Sequence, residues 1–239
     1  MMKGILTVLK NLIYPNKCIV CRDFINSEMV QVLCDKCFSH LLKEHLCKRC
    51  GRSYKIGESG CLCCKEEENP LIEQIIGLFS YSEEYRESVL RWKYRGIRKY
   101  AKGYADLFVN ELAVPLSLGF DGFIPVPLAP SRARKRGFNQ AKDLAQSMSH
   151  LTQIPVYDCL IRTRDTKPQA ECNKEERSKN VKGSIAMNTK QNLPVLKKVA
   201  IIDDIYTTGS TVKECIKILK QEYAMKDTQF YLLVVCIGG

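Results

Sequence analysis

The chain has 239 residues, 45% of them hydrophobic and 26% charged, a composition that builds a folded core and excludes intrinsic disorder. Its formal net charge of +11, from 37 Lys and Arg against 26 Asp and Glu, favours polyanionic partners: phosphates, nucleic acid or an anionic membrane surface. No segment approaches the ~20 consecutive apolar residues of a membrane span, so membrane insertion is not expected.

In chain order, the first 13 residues read as a short amphipathic helix, because Lys10 interrupts the apolar run and no small-residue cleavage site follows. Residues 15–66 are rich in cysteine. The run Glu66-Glu-Glu-Asn-Pro70 resists helix and strand alike and marks a boundary, giving a head over 1–68 and a second domain over 69–239. Ser82 to Ala113 reads as helix around a break at Gly96. Phe120–Val126 reads as a buried strand, Asn139–Leu151 as helix, and Val156–Arg162 as strand. Lys198–Ile202, Ser210–Glu222 and Phe230–Ile237 read as strand, helix and strand. Apolar strands alternating with helices predict an α/β domain whose parallel sheet is covered on both faces.

Nine of the 13 cysteines lie between Cys18 and Cys64. Without a secretory signal the expected compartment is the reducing cytoplasm, where such clustering points to metal rather than disulfides. Cys18/Cys21, Cys34/Cys37, Cys47/Cys50 and Cys61/Cys64 each enclose two residues, the spacing that lets paired thiolates face one zinc ion. Gaps of twelve residues between the first two pairs and ten between the last two each fit a hairpin. Two tandem ribbons of four thiolates, hence two zinc ions, are the simplest assignment; interleaved pairing stays open. Cys63 is surplus, and His40 and His45 are not required as ligands. Ribbons this small fold only around their metal, so a structural or partner-binding role is expected.

The stretch Val199-Ala-Ile-Ile-Asp-Asp-Ile-Tyr-Thr-Thr-Gly-Ser-Thr211 delivers two acids at the end of a buried strand, then a turn of small hydroxylated residues, then a helix. Ligands of parallel sheets sit outside the carboxyl ends of the strands. Gly209 allows close backbone approach to a phosphate, which the helix amides and the hydroxyls would bind. Asp203 and Asp204 are suited to accept from ribose hydroxyls. A Walker-type phosphate loop is excluded, since no Gly-Lys-Ser or Gly-Lys-Thr is present.

This stretch resembles the phosphoribosyl pyrophosphate (PRPP) motif of type I phosphoribosyltransferases. Pro125-Val-Pro-Leu-Ala-Pro-Ser-Arg-Ala-Arg-Lys-Arg-Gly-Phe-Asn-Gln140 and the series Arg162, Arg164, Thr166, Gln169, Arg177, Asn180, Val181, Gly183 resemble ComF/ComFC-type competence proteins. A cysteine-pair head before the domain is that family's architecture. The resemblance implies a type I phosphoribosyltransferase-like sheet, with Asp203 and Asp204 on the ribose and Thr207, Thr208, Gly209, Ser210 and Thr211 around the 5′-phosphate. It also implies a pyrophosphate loop at Leu128–Ser131, and a hood over Thr163–Val181 with Arg162 and Arg164 at its entrance. Mg²⁺ would accompany the PRPP. Thr207 stands where hypoxanthine-type transferases carry an aspartate base, which argues against purine salvage. A role in single-stranded DNA uptake and a partnership with a DNA-translocating ATPase are further implications of the family. The alternatives are a metabolic phosphoribosyltransferase with a small nucleophile, or a ligand sensor without turnover.

From Ser88 to Tyr104 there are six cations and no acid: Arg91, Lys93, Arg95, Arg98, Lys99 and Lys102, interleaved with Trp92, Tyr94, Tyr100 and Tyr104. Leu128 to Lys142 adds five more, again without an acid. Cations with interspersed aromatics suit single-stranded nucleic acid. The competing readings are that the cations serve PRPP, or that they form a solvated helix face with the aromatics in the core.

Overall fold

The computed structural model describes residues 16–25, 32–42, 47, 50–52, 71–166, 179–188 and 193–238. Four strands form one parallel sheet in the order β1-β6-β5-β2: β1 Gln74–Ser80, β2 Gly122–Pro125, β5 Lys198–Tyr206 and β6 Gln229–Ile237. The α/β parallel sheet expected from the sequence is therefore present. The inner strands β5 and β6 are nearly continuous apolar runs, as a sheet buried on both faces requires.

Alternation along the strands sorts the side chains into two cores. Leu78, Phe123, Ala200, Ile202, Leu233 and Val235 face one side. They pack against helices α2 Glu83–Arg95, α3 Lys99–Asp106 and α6 Gln140–Thr152. Ile124, Val199, Ile201, Leu232 and Val234 face the other, beneath α7 Ser210–Leu219 and a hairpin of β3 Leu160–Arg162 with β4 Ile185–Met187. The shorter helices are α1 Asp35–Phe38, α4 Val114–Leu118 and α5 Pro130–Arg136.

Several expectations change in detail. The strand expected over Val156–Arg162 is an isolated bridge at Val156 to Phe123 and then β3, which pairs antiparallel with β4 outside the main sheet. Strands β1 and β4 have no counterpart among the expected elements. The break at Gly96 is real: that glycine ends α2 with φ 62°. No helix among the described residues is long and apolar enough to cross a membrane.

The cysteine head does not hang free of this core. Cys18, Ile19, Val20, Leu33, Cys37 and Leu41 join the cluster that holds Trp92, Tyr100 and Tyr104. Ser88 Oγ donates to the Ile19 carbonyl at 2.6 Å, the Arg91 guanidinium donates to the Val20 carbonyl, and the Leu42 amide donates to Leu78.

Candidate functional site: a thiolate cluster and an acid pair ringed by cations

The Sγ atoms of Cys18, Cys21, Cys34 and Cys37 all lie within 4.8 Å of one another, with Cys21 and Cys34 at 3.5 Å. Four sulfurs at 2.3 Å from a central zinc would be about 3.8 Å apart, so the donor set and its size fit that ion. The first two pairs thus meet in one cluster, as tandem ribbons require. Burial pushes the Cys21 thiol up to about 12 and the Cys37 thiol in the same direction, so a cation must draw the protons off as it binds.

Cys47 and Cys50, expected as ligands of a second zinc, are not part of that cluster, and among the described residues no second group of three or more metal donors forms around them. The physical reason is that one knuckle supplies only half of a tetrahedron. Its expected other half, Cys61 and Cys64, lies outside the described residues, as do Cys63 and His45. Cys50 is buried and Cys47 half-buried, so the pair is inward-facing rather than splayed into solvent.

The third pair nevertheless repeats the local geometry of the first. The Arg22 amide donates to the Cys18 carbonyl and the Cys18 amide to Asp23; the Gly51 amide donates to Cys47 and the Cys47 amide to Arg52. A left-handed residue follows the second cysteine in both turns: Arg22 after Cys21 at φ 75°, and Gly51 after Cys50 at φ 68°. A Cβ on Gly51 would meet the Ile75 carbonyl oxygen at 2.5 Å, so glycine is needed there. His40 Nδ1 is 2.9 Å from the Tyr85 hydroxyl and is not one of the clustered donors.

The carboxyl end of β5 carries Asp203 and Asp204. Alternation sends Asp204 to the α2 face, where the Lys93 ammonium lies 2.7 Å away with both side chains 15% exposed. Asp203 looks to the opposite face, where Arg162 of β3 contributes a favourable charge. Desolvation and then the charge of Asp204 push the Asp203 carboxyl up to about 7, against the opposing pull of Lys93 and Arg162.

The turn from Thr207 follows directly. Gly209 has φ 70°, and a Cβ there would meet the Tyr206 ring at 2.7 Å. Thr208 Oγ1 and Ser210 Oγ are 3.0 Å apart, and α7 begins at Ser210 with its first amides turned to the same place.

Two half-buried guanidiniums complete the ring. Arg132 and Arg162 both donate to Thr166 Oγ1, at 3.2 and 2.7 Å. Burial holds both below the usual arginine range, with the charge of Arg136 adding to it at Arg132 and that of Arg132 at Arg162, and the Arg162 Nε is buried without a hydrogen-bond partner among the described residues. Arg132 feels Asp204 and Asp165, and Arg162 feels Asp203, so cations from α2, α5 and β3 converge on the end of β5. Asp165 accepts from the Ser131 amide at 2.9 Å and its hydroxyl at 2.6 Å. Arg164 is exposed and donates to the Asn180 and Lys182 carbonyls, away from the acids. Gln169 and Arg177 lie outside the described residues.

The basic stretch from Arg91 divides by partner. Lys93 goes to Asp204, Arg91 to Val20 and Tyr100, and Arg98 forms two bonds of 2.7 and 2.8 Å to Asp143; Arg95 and Lys99 are exposed. Trp92, Tyr100 and Tyr104 are fully buried core, whereas Tyr94 is 59% exposed. Lys93 and Arg132 are the site cations that the sequence did not single out for the acid pair. Helical period places Lys93 on a face but cannot name the strand end it meets.

The Arg-Gly-Phe-Asn-Gln run reads as structure once placed. Gly137 ends α5, Phe138 lies under Arg98, and Asn139 caps α6 through the Ala141 amide while its Nδ2 holds the Val126 carbonyl. Gln140 accepts from Arg136.

Comparison with known proteins agrees with the family resemblance seen in the residues. A sequence model described as "Double zinc ribbon domain" matches residues 9–67. The chain is 26% identical over 215 residues to Competence protein F of Haemophilus influenzae, covering 86% of this chain and 91% of that protein. It is 26% identical over 237 residues to Competence protein ComFC of Streptococcus pneumoniae, covering 91% and 99%. Similarity extends to the DNA utilization protein YhgH of Escherichia coli K12, 27% identical over 180 residues, covering 73% and 77%.

Proposed function

We propose that this chain, similar over most of its length to competence proteins F and ComFC, is a cytoplasmic PRPP-binding protein that supports uptake of single-stranded DNA. The reading divides the chain into a two-zinc head over 1–68 and a phosphoribosyltransferase-like domain over 69–239. It takes the competence role from the relatives' names and the ligand from the site.

The observation that carries the ligand is the convergence of Lys93, Arg132 and Arg162 on Asp203, Asp204 and the Thr207–Thr211 turn. The two acids would accept from the ribose 2′- and 3′-hydroxyls. Hydroxyls of Thr207, Thr208, Ser210 and Thr211, with the amides around Gly209, would take the 5′-phosphate. Arg132 and Arg162 are half-buried cations that form no ion pair among the described residues, which suits a diphosphate that brings its own Mg²⁺ on hard oxygen ligands. The translocating ATPase of a competence system is the partner that the family resemblance implies.

Calorimetric titration with PRPP and Mg²⁺ tests the ligand. Wild type should bind, Asp203→Ala should bind weakly or not at all, and Thr208→Val should lose about 1–3 kcal/mol with a phosphate donor. Absence of heat and of thermal stabilisation in wild type would remove the ligand from the proposal.

A further inference from the structure

Two basic segments that are separate in sequence are sewn together in space. Arg98 bonds Asp143 and its guanidinium lies 5.9 Å over the Phe138 ring; Arg136 lies 4.8 Å over the Tyr94 ring and donates to its hydroxyl at 3.2 Å. The seam brings the end of α2 against α5 through Tyr94 and Arg136, and the start of α3 against α6 and the link before it through Arg98. Asp143, the acid at the seam, is taken up by Arg98, while Arg95, Lys99, Arg134 and Lys135 remain exposed.

Tyr94 stands among these cations. Its neighbours Trp92, Tyr100 and Tyr104 are spent in the core, but Tyr94 keeps 59% of its surface open. One ring face is backed by Arg136, and a guanidinium there stiffens the ring by cation–π attraction. With 59% of the side chain open, the ring keeps surface on which a base can stack. An exposed aromatic ring among exposed cations that form no ion pair among the described residues is the combination that holds an unpaired base and the phosphates on either side of it.

We propose that Tyr94, backed by Arg136 and flanked by Arg95, Lys99, Arg134 and Lys135, is a base-stacking platform for single-stranded nucleic acid. This deepens the DNA half of the proposed function and rests on it. The platform adjoins the acid-pair site, because Lys93, the residue before Tyr94, holds Asp204. Duplex bases are stacked on each other and offer no face, so a duplex engages the cations alone.

Fluorescence polarisation of the full chain with labelled oligothymidylate, oligouridylate and a duplex of equal length tests this across a salt series. Tyr94→Ala, at an exposed position, should weaken both single strands about tenfold while leaving the salt slope unchanged. Changing Arg95, Lys99, Arg134 and Lys135 together to Gln should flatten the slope by roughly 0.7 for each lost phosphate contact. Tyr94→Trp should restore binding. The comparison of thymidylate with uridylate tells whether DNA or RNA is the preferred strand. If wild type binds strands that neither variant weakens, the platform is wrong and the DNA reading survives. If wild type binds no strand at low salt, both fall.

Discussion

Asp203 shows how far a single residue's environment can be carried into measurement. An unfolded aspartate releases its proton near 3.8, whereas the folded protein holds this one to about 7. Between those values the native state binds a proton that the unfolded chain has lost, so stability falls as pH rises through this window. The contribution is complete below the lower value and gone above the upper. Asp203→Asn keeps the neutral form at every pH. It should therefore exceed wild type in stability above pH 7, by on the order of 1–3 kcal/mol, and the gain should vanish toward pH 4. Urea unfolding at pH 4.5, 6 and 7.5 measures it; a gain that does not vary with pH would refute the retained proton. The acids themselves were legible in the sequence, because adjacent carboxylates ending an apolar strand have few other uses. Of their cations, Arg162 was named only through the family resemblance; Lys93 and Arg132 were not assigned to the acids, since they lie about 70 to 110 residues away and meet them only through the fold.

At the scale of elements, the cysteine turns were the most legible feature because their spacing is itself the geometry. The closure of Cys18, Cys21, Cys34 and Cys37 into one cluster supports tandem rather than interleaved pairing. The Cys47–Cys50 turn, which matches the Cys18–Cys21 turn in its hydrogen bonds and its left-handed exit, supports a second site of the same kind. Elemental analysis should return about two zinc ions per chain, with X-ray absorption showing four sulfurs near 2.3 Å and no imidazole nitrogen. One zinc, or a nitrogen shell, would break the eight-thiolate assignment and leave Cys47 and Cys50 as a structural turn. Strand β1 escaped the sequence reading for a local reason. Its run is interrupted by Gly77, whose missing side chain is filled by Ile237: a Cβ there would meet Ile237 Cγ1 at 2.5 Å. Strand β4, three residues long, is too short for alternation to reveal, and β3 was read only as the end of a longer strand because its antiparallel pairing with β4 spans a long connection.

For the whole molecule, the sequence draws a head and a body, and the packing ties them together. Cys18 and Cys37 are buried in the cluster that contains Trp92, the chain's single tryptophan. Metal loss should therefore be felt beyond the head. A zinc chelator should red-shift Trp92 emission and lower the unfolding midpoint of the whole chain in one transition, because the shared core loses the scaffold of one wall. Unchanged emission with full loss of zinc would show that the body holds its core alone. The same tie bears on function, since Arg91 anchors the head from the same helical turn that holds Lys93 against Asp204 and presents Tyr94 to solvent.

Soaking crystals with PRPP and Mg²⁺ tests the proposed phosphoribosyl site at the carboxyl end of β5. Difference density should place the 5′-phosphate in the Thr207–Thr211 turn, the ribose hydroxyls on Asp203 and Asp204, and the diphosphate beside Arg132 and Arg162. Density that sits elsewhere, or a fully occupied soak that leaves this turn empty, would contradict the account.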